Sequence, residues 1–242
     1  MIPKIIHYVW VGSPFPDGYR GFLKSWKDTN PDYQFIFWNE DNIDFTVPAI
    51  LELYRAKKYN KVSDLVRHKA ILEMGGIYLD TDFQVFKSLD PVRIHPCFYG
   101  FQHREHGTDW IAPGAFGAEP GHWFVRKVWE RMLTSRNSYL GLDIPTALGP
   151  KLITTMLRDE GLCRYSDQGL YVKDIWLAPV HWFYPFGMTE TFSPACVRAD
   201  TLAAHFWEKS WDRYVNTPTR IARALKAALT RHERVPRPER ID

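Results

Sequence analysis

The chain opens on an unbroken apolar run, Lys4 to Val11 (KIIHYVWV), closed by Gly12-Ser13-Pro14. A continuous β-branched and aromatic run predicts a first strand buried on both faces. Gly18 to Asp28 is predicted as a helix, and the turn Asn30-Pro31-Asp32 leads into a second strand, Tyr33 to Trp38 (YQFIFW). Helices follow over Val47 to Tyr59 and Ser63 to Met74, the latter with Ser63 or a neighbour as N-cap and Gly75 in the left-handed closing position. Ile77-Tyr78-Leu79 then reads as a short buried strand that runs out in Asp80-Thr81-Asp82. Strand, helix, strand, helix, helix, strand predicts an α/β domain with a mainly parallel central sheet, Rossmann-like in plan. Beyond Asp90-Pro91 the pattern is less regular, with apolar runs at Cys97–Phe101, Ala115–Ala118 and Trp176–Val180 and helices over Trp123–Ser135 and Pro150–Arg158. A last helix, Thr219 to Arg231, carries Ile221, Ala222, Leu225, Ala228 and Leu229 on one face, framed by Arg223, Lys226 and Arg231.

Composition narrows the class. A length of 242 residues suits one large domain, or one domain with a small appendage. The division expected is 1–216 as one domain, in two parts over 1–90 and 91–216, and 217–242 as a basic helical tail. Three widely spaced cysteines, Cys97, Cys163 and Cys196, form no CxxC pair and suit a reducing compartment. The opening MIPKIIH turns polar too soon for a signal peptide, and no apolar run approaches the ~20 residues that span a bilayer. A soluble, cytoplasmic protein is expected. From Thr217 onward seven basic residues face three acidic ones, whereas the first 216 hold 24 basic and 25 acidic. The net charge of +3 therefore describes the tail and argues against a general nucleic-acid binder. A cation-bordered amphipathic helix over 219–240 could lie on an anionic membrane surface, or simply pack with a solvated basic face.

The candidate chemistry sits at the strand ends, where parallel sheets bind ligands. Side chains at i and i+2 of an extended segment share a side, so Asp80 and Asp82 can converge on one hard divalent cation with positions left open for phosphate. A bare Asp-x-Asp also caps turns by chance. Asp64 and Arg67, at i and i+3, share one helix face. They are either a surface ion pair or a pair that binds sugar hydroxyls and holds a diphosphate or the Asp itself. His103, His106, His122 and His181 show no ligand spacing, and His68 reads as a surface residue of its helix. Trp176, His181, Trp182, Phe183 and Tyr184 either line an acceptor groove or pack loops over the sheet. A haloacid-dehalogenase-type phosphatase also uses Asp-x-Asp at a strand end, but Gln84 stands where that class carries Thr or Val. A non-catalytic sugar- or membrane-binding module is the third reading.

Ser63-Asp64-x-x-Arg67 followed by Gly75-Gly76-Ile77-Tyr78-Leu79-Asp80-Thr81-Asp82 resembles the signature of DXD-containing sugar transferases of family 32. That group includes yeast-type α-1,6-mannosyltransferases and capsule and lipopolysaccharide transferases, and shares its core with the clostridial glucosylating toxins. Ile2 to Gly12, Ser25-Trp26-Lys27, Asn30-Pro31-Asp32-Tyr33 and Trp38-Asn39-Glu40 resemble it too, so the likeness is dense over residues 2–86. The resemblance implies a GT-A fold and a retaining transferase moving a hexose from a nucleotide-sugar, UDP- before GDP-linked, to a glycan or lipid-linked glycan in bacterial surface polysaccharide synthesis. It implies Mn²⁺ or Mg²⁺, with Asp82 the more direct ligand, Asp80 its partner and His205 a third ligand or a cap. Asp64 and Arg67 would contact sugar and ribose, and Tyr78 would reach the sugar–phosphate region. Trp10 would stack on the base, or serve as plain core, with Val9 and Val11 backbone groups at the base edge. His205-Phe206-Trp207-Glu208-Lys209-Ser210-Trp211 resembles the family's closing segment, in which Ser210 and Trp211 would meet the nucleotide. Leu148-Gly149-Pro150 departs from the family's Thr-Gly-Pro by losing the hydroxyl. The implied reaction is front-face attack by an acceptor hydroxyl, whose proton passes to the departing phosphate.

Overall fold

In a computed structural model, which describes residues 1–102, 110–134 and 148–208, the first apolar run forms β1 (Ile5–Val9) and the second β2 (Gln34–Trp38). They pair in parallel, Ile5 against Gln34 through Val9 against Trp38. Helix α1 (Arg20–Thr29) joins them, and α2 (Pro48–Arg55) and α3 (Tyr59–Met74) lead to β3 (Gly76–Leu79), which lies parallel to β1. Helix α3 begins four residues before Ser63, with Lys58 as its uncapped start, so Ser63 is a helix-interior residue. At its other end Gly75 takes φ 65° and ψ −165°. The positive φ expected there is present, but the backbone swings past the left-handed helical well straight into the strand.

The sheet continues through β5 (Cys97–Phe101), β6 (Ile111–Ala118), β7 (Leu170–Val172) and β8 (Ile175–Ala178), in the order β2-β1-β3-β6-β5-β8-β7. β6 is antiparallel to both β3 and β5, β8 is parallel to β5, and β7 is antiparallel to β8. All strands but β6 and β7 thus run one way, as the α/β reading requires. Helices α5 (Trp123–Thr134) and α6 (Leu148–Asp159) follow β6. The basic tail helix expected over 219–231 lies outside the described residues.

Side-chain alternation along β3 divides the core. Tyr78 joins the cluster holding Val62, Leu65 and Val66 of α3, Phe124 of α5 and Ile153 of α6. Ile77 and Leu79 face the opposite cluster with Trp26 of α1. Within that second layer the short strand β4 (Phe83–Val85) pairs with β9 (Ala203–His205), both too brief to show in the sequence pattern. α1 and the loop after it hold β4 by name. Trp26 Nε1 donates to the Phe83 carbonyl at 2.7 Å, the Val85 amide donates to Ser25 Oγ at 3.1 Å, and the Leu89 amide donates to Asn30 Oδ1 at 2.8 Å. The Ser-Trp-Lys and Asn-Pro segments therefore serve the site indirectly. They fix β4, β4 pairs β9, and β9 carries His205. Two small helices, α4 (Asp90–Arg93) and α7 (Val180–Phe183), complete this layer.

Candidate active site

Arg67 is the hub of the site. Its guanidinium is only 8% exposed, and it lies over the Tyr78 ring at 4.4 Å. Nη2 meets Asp64 Oδ1 at 3.3 Å, Asp80 Oδ1 at 3.2 Å and Ser63 Oγ at 3.1 Å. Nη1 donates to the Pro113 carbonyl at 3.0 Å and Nε to the Ser63 carbonyl at 3.2 Å. These bonds leave Arg67 holding two carboxylates, a buried-charge arrangement and not a solvated surface pair. Burial raises the Asp64 and Asp80 carboxyls above the usual range, with the Arg67 charge opposing in both.

Tyr78 and Asp80 lie on one side of the sheet, as alternation requires, and the Tyr78 hydroxyl donates to Asp80 Oδ1 at 2.8 Å. Asp80 and Asp82 are related differently from the sequence expectation. Strand β3 stops at Leu79, and Thr81-Asp82 form a tight turn in which the Phe83 amide bonds the Asp80 carbonyl at 3.2 Å. A turn, not an extended segment, brings the carboxylates together.

β9 closes the cluster. His205 Nε2 stands 3.0 Å from Asp82 Oδ1 and 3.8 Å from Asp80 Oδ2. The chain then curls around Asp82: the Phe206 amide reaches its carbonyl at 2.9 Å and the Glu208 amide its Oδ2 at 2.7 Å. That curl places Trp207 at φ 59°, a conformation L residues seldom adopt. Burial works against the Asp82 charge, yet the His205 charge, its hydrogen bond and the Glu208 amide hold Asp82 below its ordinary value. His205 is raised in turn, because Asp82 outweighs burial.

Asp80, Asp82 and His205 each offer a ligand atom within 4.8 Å of the others. The lone pairs divide clearly. Asp80 Oδ1 is engaged by Tyr78 and Arg67, which leaves Oδ2 facing His205; Asp82 Oδ2 is engaged by Glu208, which leaves Oδ1 facing His205. Two carboxylate oxygens and one imidazole could hold a divalent cation. His205 Nδ1 is buried without a hydrogen-bond partner among the described residues, so Nε2 is the nitrogen that faces the acids.

The base-end candidates lie at the carboxyl end of β1. Val9, Trp10 and Val11 are buried, Trp10 at 8% exposure. Trp10 packs with Phe15 and Tyr19 at 5.6 and 5.2 Å and donates from Nε1 to Ser13 Oγ at 3.2 Å. The loop beyond is pinned by Glu40, which accepts from the Gly12 amide at 2.6 Å and from the Tyr54 hydroxyl at 2.9 Å. Ser210 and Trp211, like His103 and His106, fall outside the described residues. His68 is a correction: it is fully buried, not on the surface. It stacks on Phe116 at 4.7 Å and bonds the Asp64 carbonyl through Nδ1 at 2.7 Å. Tyr184 is likewise fully buried, and the Trp176 ring stacks on His95 at 5.1 Å.

Sequence reasoning missed Pro113 and Gly114. The first gives its carbonyl to Arg67, and the second accepts from the Asp80 amide at 2.8 Å. Pro-Gly inside the apolar segment IAPGAFGA was the available signal, since both residues mark bulges within strands.

Comparison with known proteins agrees with this geometry. Residues 16–99 match the family described as glycosyltransferase sugar-binding region containing DXD motif. Inositol phosphoceramide mannosyltransferase 3 of Schizosaccharomyces pombe is 33% identical over 132 residues, covering 52% of this chain and 36% of that protein. The initiation-specific alpha-1,6-mannosyltransferase of Saccharomyces cerevisiae is 28% identical over 102 residues, covering 37% and 21%. The chain thus spans about a third or less of the length of these relatives. Among solved structures, the PaToxG glycosyltransferase superposes with a TM-score of 0.52 at 16% identity, over 66% of this chain and 70% of that one. Residues 16–99 thus match the DXD-containing glycosyltransferase family, and the fold around them is of the GT-A type.

Proposed function

We propose that the chain is a retaining, metal-dependent hexosyltransferase that moves a sugar from a nucleoside-diphosphate donor to a hydroxyl of a glycan or lipid-linked glycan. The convergence of Asp80, Asp82 and His205 beside the Arg67 hub carries this reading. Two relatives are named as mannosyltransferases, which supports mannose as the hexose, and one name specifies an inositol phosphoceramide, which supports a lipid-borne acceptor. Those relatives are fungal, so a bacterial surface-polysaccharide setting rests on motif resemblance alone. UDP is favoured as the nucleotide only by the likeness of Trp10 to a base-stacking position. A basic segment at 219–240 would suit a membrane-bound acceptor and a site on the cytoplasmic membrane face. Among the described residues no helix is long and apolar enough to cross a membrane.

Asp80 Oδ2, Asp82 Oδ1 and His205 Nε2 would hold the ion, which when bound supplies Lewis-acid stabilisation of the leaving diphosphate. Arg67 keeps Asp80 oriented by taking its other oxygen, and Tyr78 shares that oxygen. Asp64, one oxygen on Arg67, would offer the other to the donor sugar. In keeping with the family resemblance, the acceptor hydroxyl would attack from the side the diphosphate leaves and give up its proton to a departing phosphate oxygen.

A thermal-shift panel of UDP- and GDP-sugars, with and without Mn²⁺, tests this. A matching donor should raise the melting temperature only with the metal present. No shift with any donor in either condition would contradict the reading.

A further inference from the structure

The β5–β6 ladder breaks between two pairs: Tyr99 opposes Phe116, but the next residue, Gly100, opposes Ala112. Three residues of β6, Pro113, Gly114 and Ala115, therefore bulge out of register with β5, although Ala115 still pairs Leu79 of β3, and each makes one bond toward the site. The Pro113 carbonyl takes Arg67 Nη1 at 3.0 Å, the Gly114 carbonyl takes the Asp80 amide at 2.8 Å, and the Ala115 amide donates to the Tyr184 hydroxyl at 3.1 Å. Tyr184 is fully buried, and its ring packs edge-on against His205 at 5.7 Å and against Phe83 at 5.7 Å. A Cβ on Gly114 would lie 2.8 Å from Asp80 Oδ2 and 3.1 Å from the Tyr184 oxygen. The open Asp80 oxygen and the Tyr184 hydroxyl thus border the same small space, which exists because residue 114 has no side chain.

We propose that Tyr184 is a positioning residue of the site: its hydroxyl pins the Pro113–Ala115 bulge, and the bulge in turn sets Arg67 and Asp80. The proposal deepens the metal-site reading above and rests on it. A bulge has spare backbone and needs an outside partner to hold one shape. Tyr184 supplies that partner on the side facing away from α3, while Arg67 supplies it on the other. Tyr99 is the natural control. It is fully buried in the same sheet and stacks on Phe116 at 4.9 Å, but its hydroxyl has no hydrogen-bond partner among the described residues.

The experiment compares Tyr184→Phe, Tyr99→Phe and Gly114→Ala in the full chain, by Mn²⁺ titration followed with paramagnetic resonance and by crystal structures without metal. Tyr184→Phe is expected to weaken Mn²⁺ binding by about tenfold or more, the usual cost of losing an outer partner of a metal site. Gly114→Ala should do the same by crowding Asp80, and Tyr99→Phe should bind as wild type at comparable thermal stability. In the Tyr184→Phe crystal the Pro113–Arg67 and Gly114–Asp80 bonds should lengthen beyond hydrogen-bond reach. Wild-type affinity and unchanged bonds in Tyr184→Phe would overturn the proposal. If the wild-type chain binds no Mn²⁺, the metal reading fails, and the two distances still decide whether Tyr184 positions the bulge.

Discussion

Arg67 and Asp80 face each other at 3.2 Å across the joint between α3 and β3, with Asp64 a further 3.3 Å contact on the same guanidinium nitrogen. One cation thereby serves two carboxylates that the chain has placed 16 residues apart in sequence. Removing it leaves two partly buried acids without compensation, and both already sit above their ordinary range. Arg67→Ala should cost about 3 kcal/mol of folding stability at neutral pH. Urea unfolding checks this, and a loss under ~1 kcal/mol, the level of a surface pair, would show that the burial argument is wrong.

Gly76 tests the joint itself. Its φ is 102°, and a Cβ there would meet the Ile5 carbonyl oxygen at 2.8 Å and His7 Nε2 at 3.0 Å. Gly76→Ala combines backbone strain with a clash against a neighbouring strand, and should cost roughly 3 kcal/mol. Gly21, in α1 with open space at its Cβ position, is the contrast: Gly21→Ala should be neutral or slightly stabilising in the same unfolding assay.

His7 gives a pH signature. Trp38 Nε1 donates to its Nδ1 at 3.1 Å, so Nε2 carries the proton and donates to the Gly75 carbonyl at 2.9 Å. The ring is held neutral: burial pushes its pKa down to about 4, with the Gly75 bond opposing. The unfolded chain takes up this proton near pH 6.5, the native chain not until about 4. Between those values the unfolded state binds more protons, so stability is full above pH 6.5 and falls as the pH drops. His68, lowered by burial to about 3, adds to the same slope. His7→Gln should be less stable at pH 7 but lose stability less steeply between pH 6 and 5, by about 1.4 kcal/mol per unit. Parallel profiles for the two proteins would contradict the neutral assignment.

What could be read from the sequence follows from how local each cause is. The strands β1, β2 and β3 and the Asp64–Arg67 helix face rest on periodicity and spacing, and both are present in the fold. His68 escapes the sequence pattern because its neighbour Arg67 suggests a polar face. The helix is instead packed on both sides there, and His68 meets Phe116 of a strand nearly 50 residues away. The placement of His205 depends on a three-residue strand pair, β4 with β9, and on Ser25, Trp26 and Asn30 that anchor it. No window of sequence reveals such a chain of contacts. The β6 bulge is intermediate: Pro113-Gly114 announces a break in a strand, but only the fold shows which side chains use it.

Asp80, Asp82 and His205 should act together as one metal-dependent transfer site. Its most direct test follows hexose transfer from a nucleotide-sugar by protein stripped of metal and then titrated with Mn²⁺, comparing wild type with Asp82→Ala. Wild-type transfer should be absent without metal and return with it, while Asp82→Ala should stay inactive throughout despite a native thermal transition. Transfer by Asp82→Ala at the wild-type rate, or by stripped wild-type protein without added metal, would contradict it.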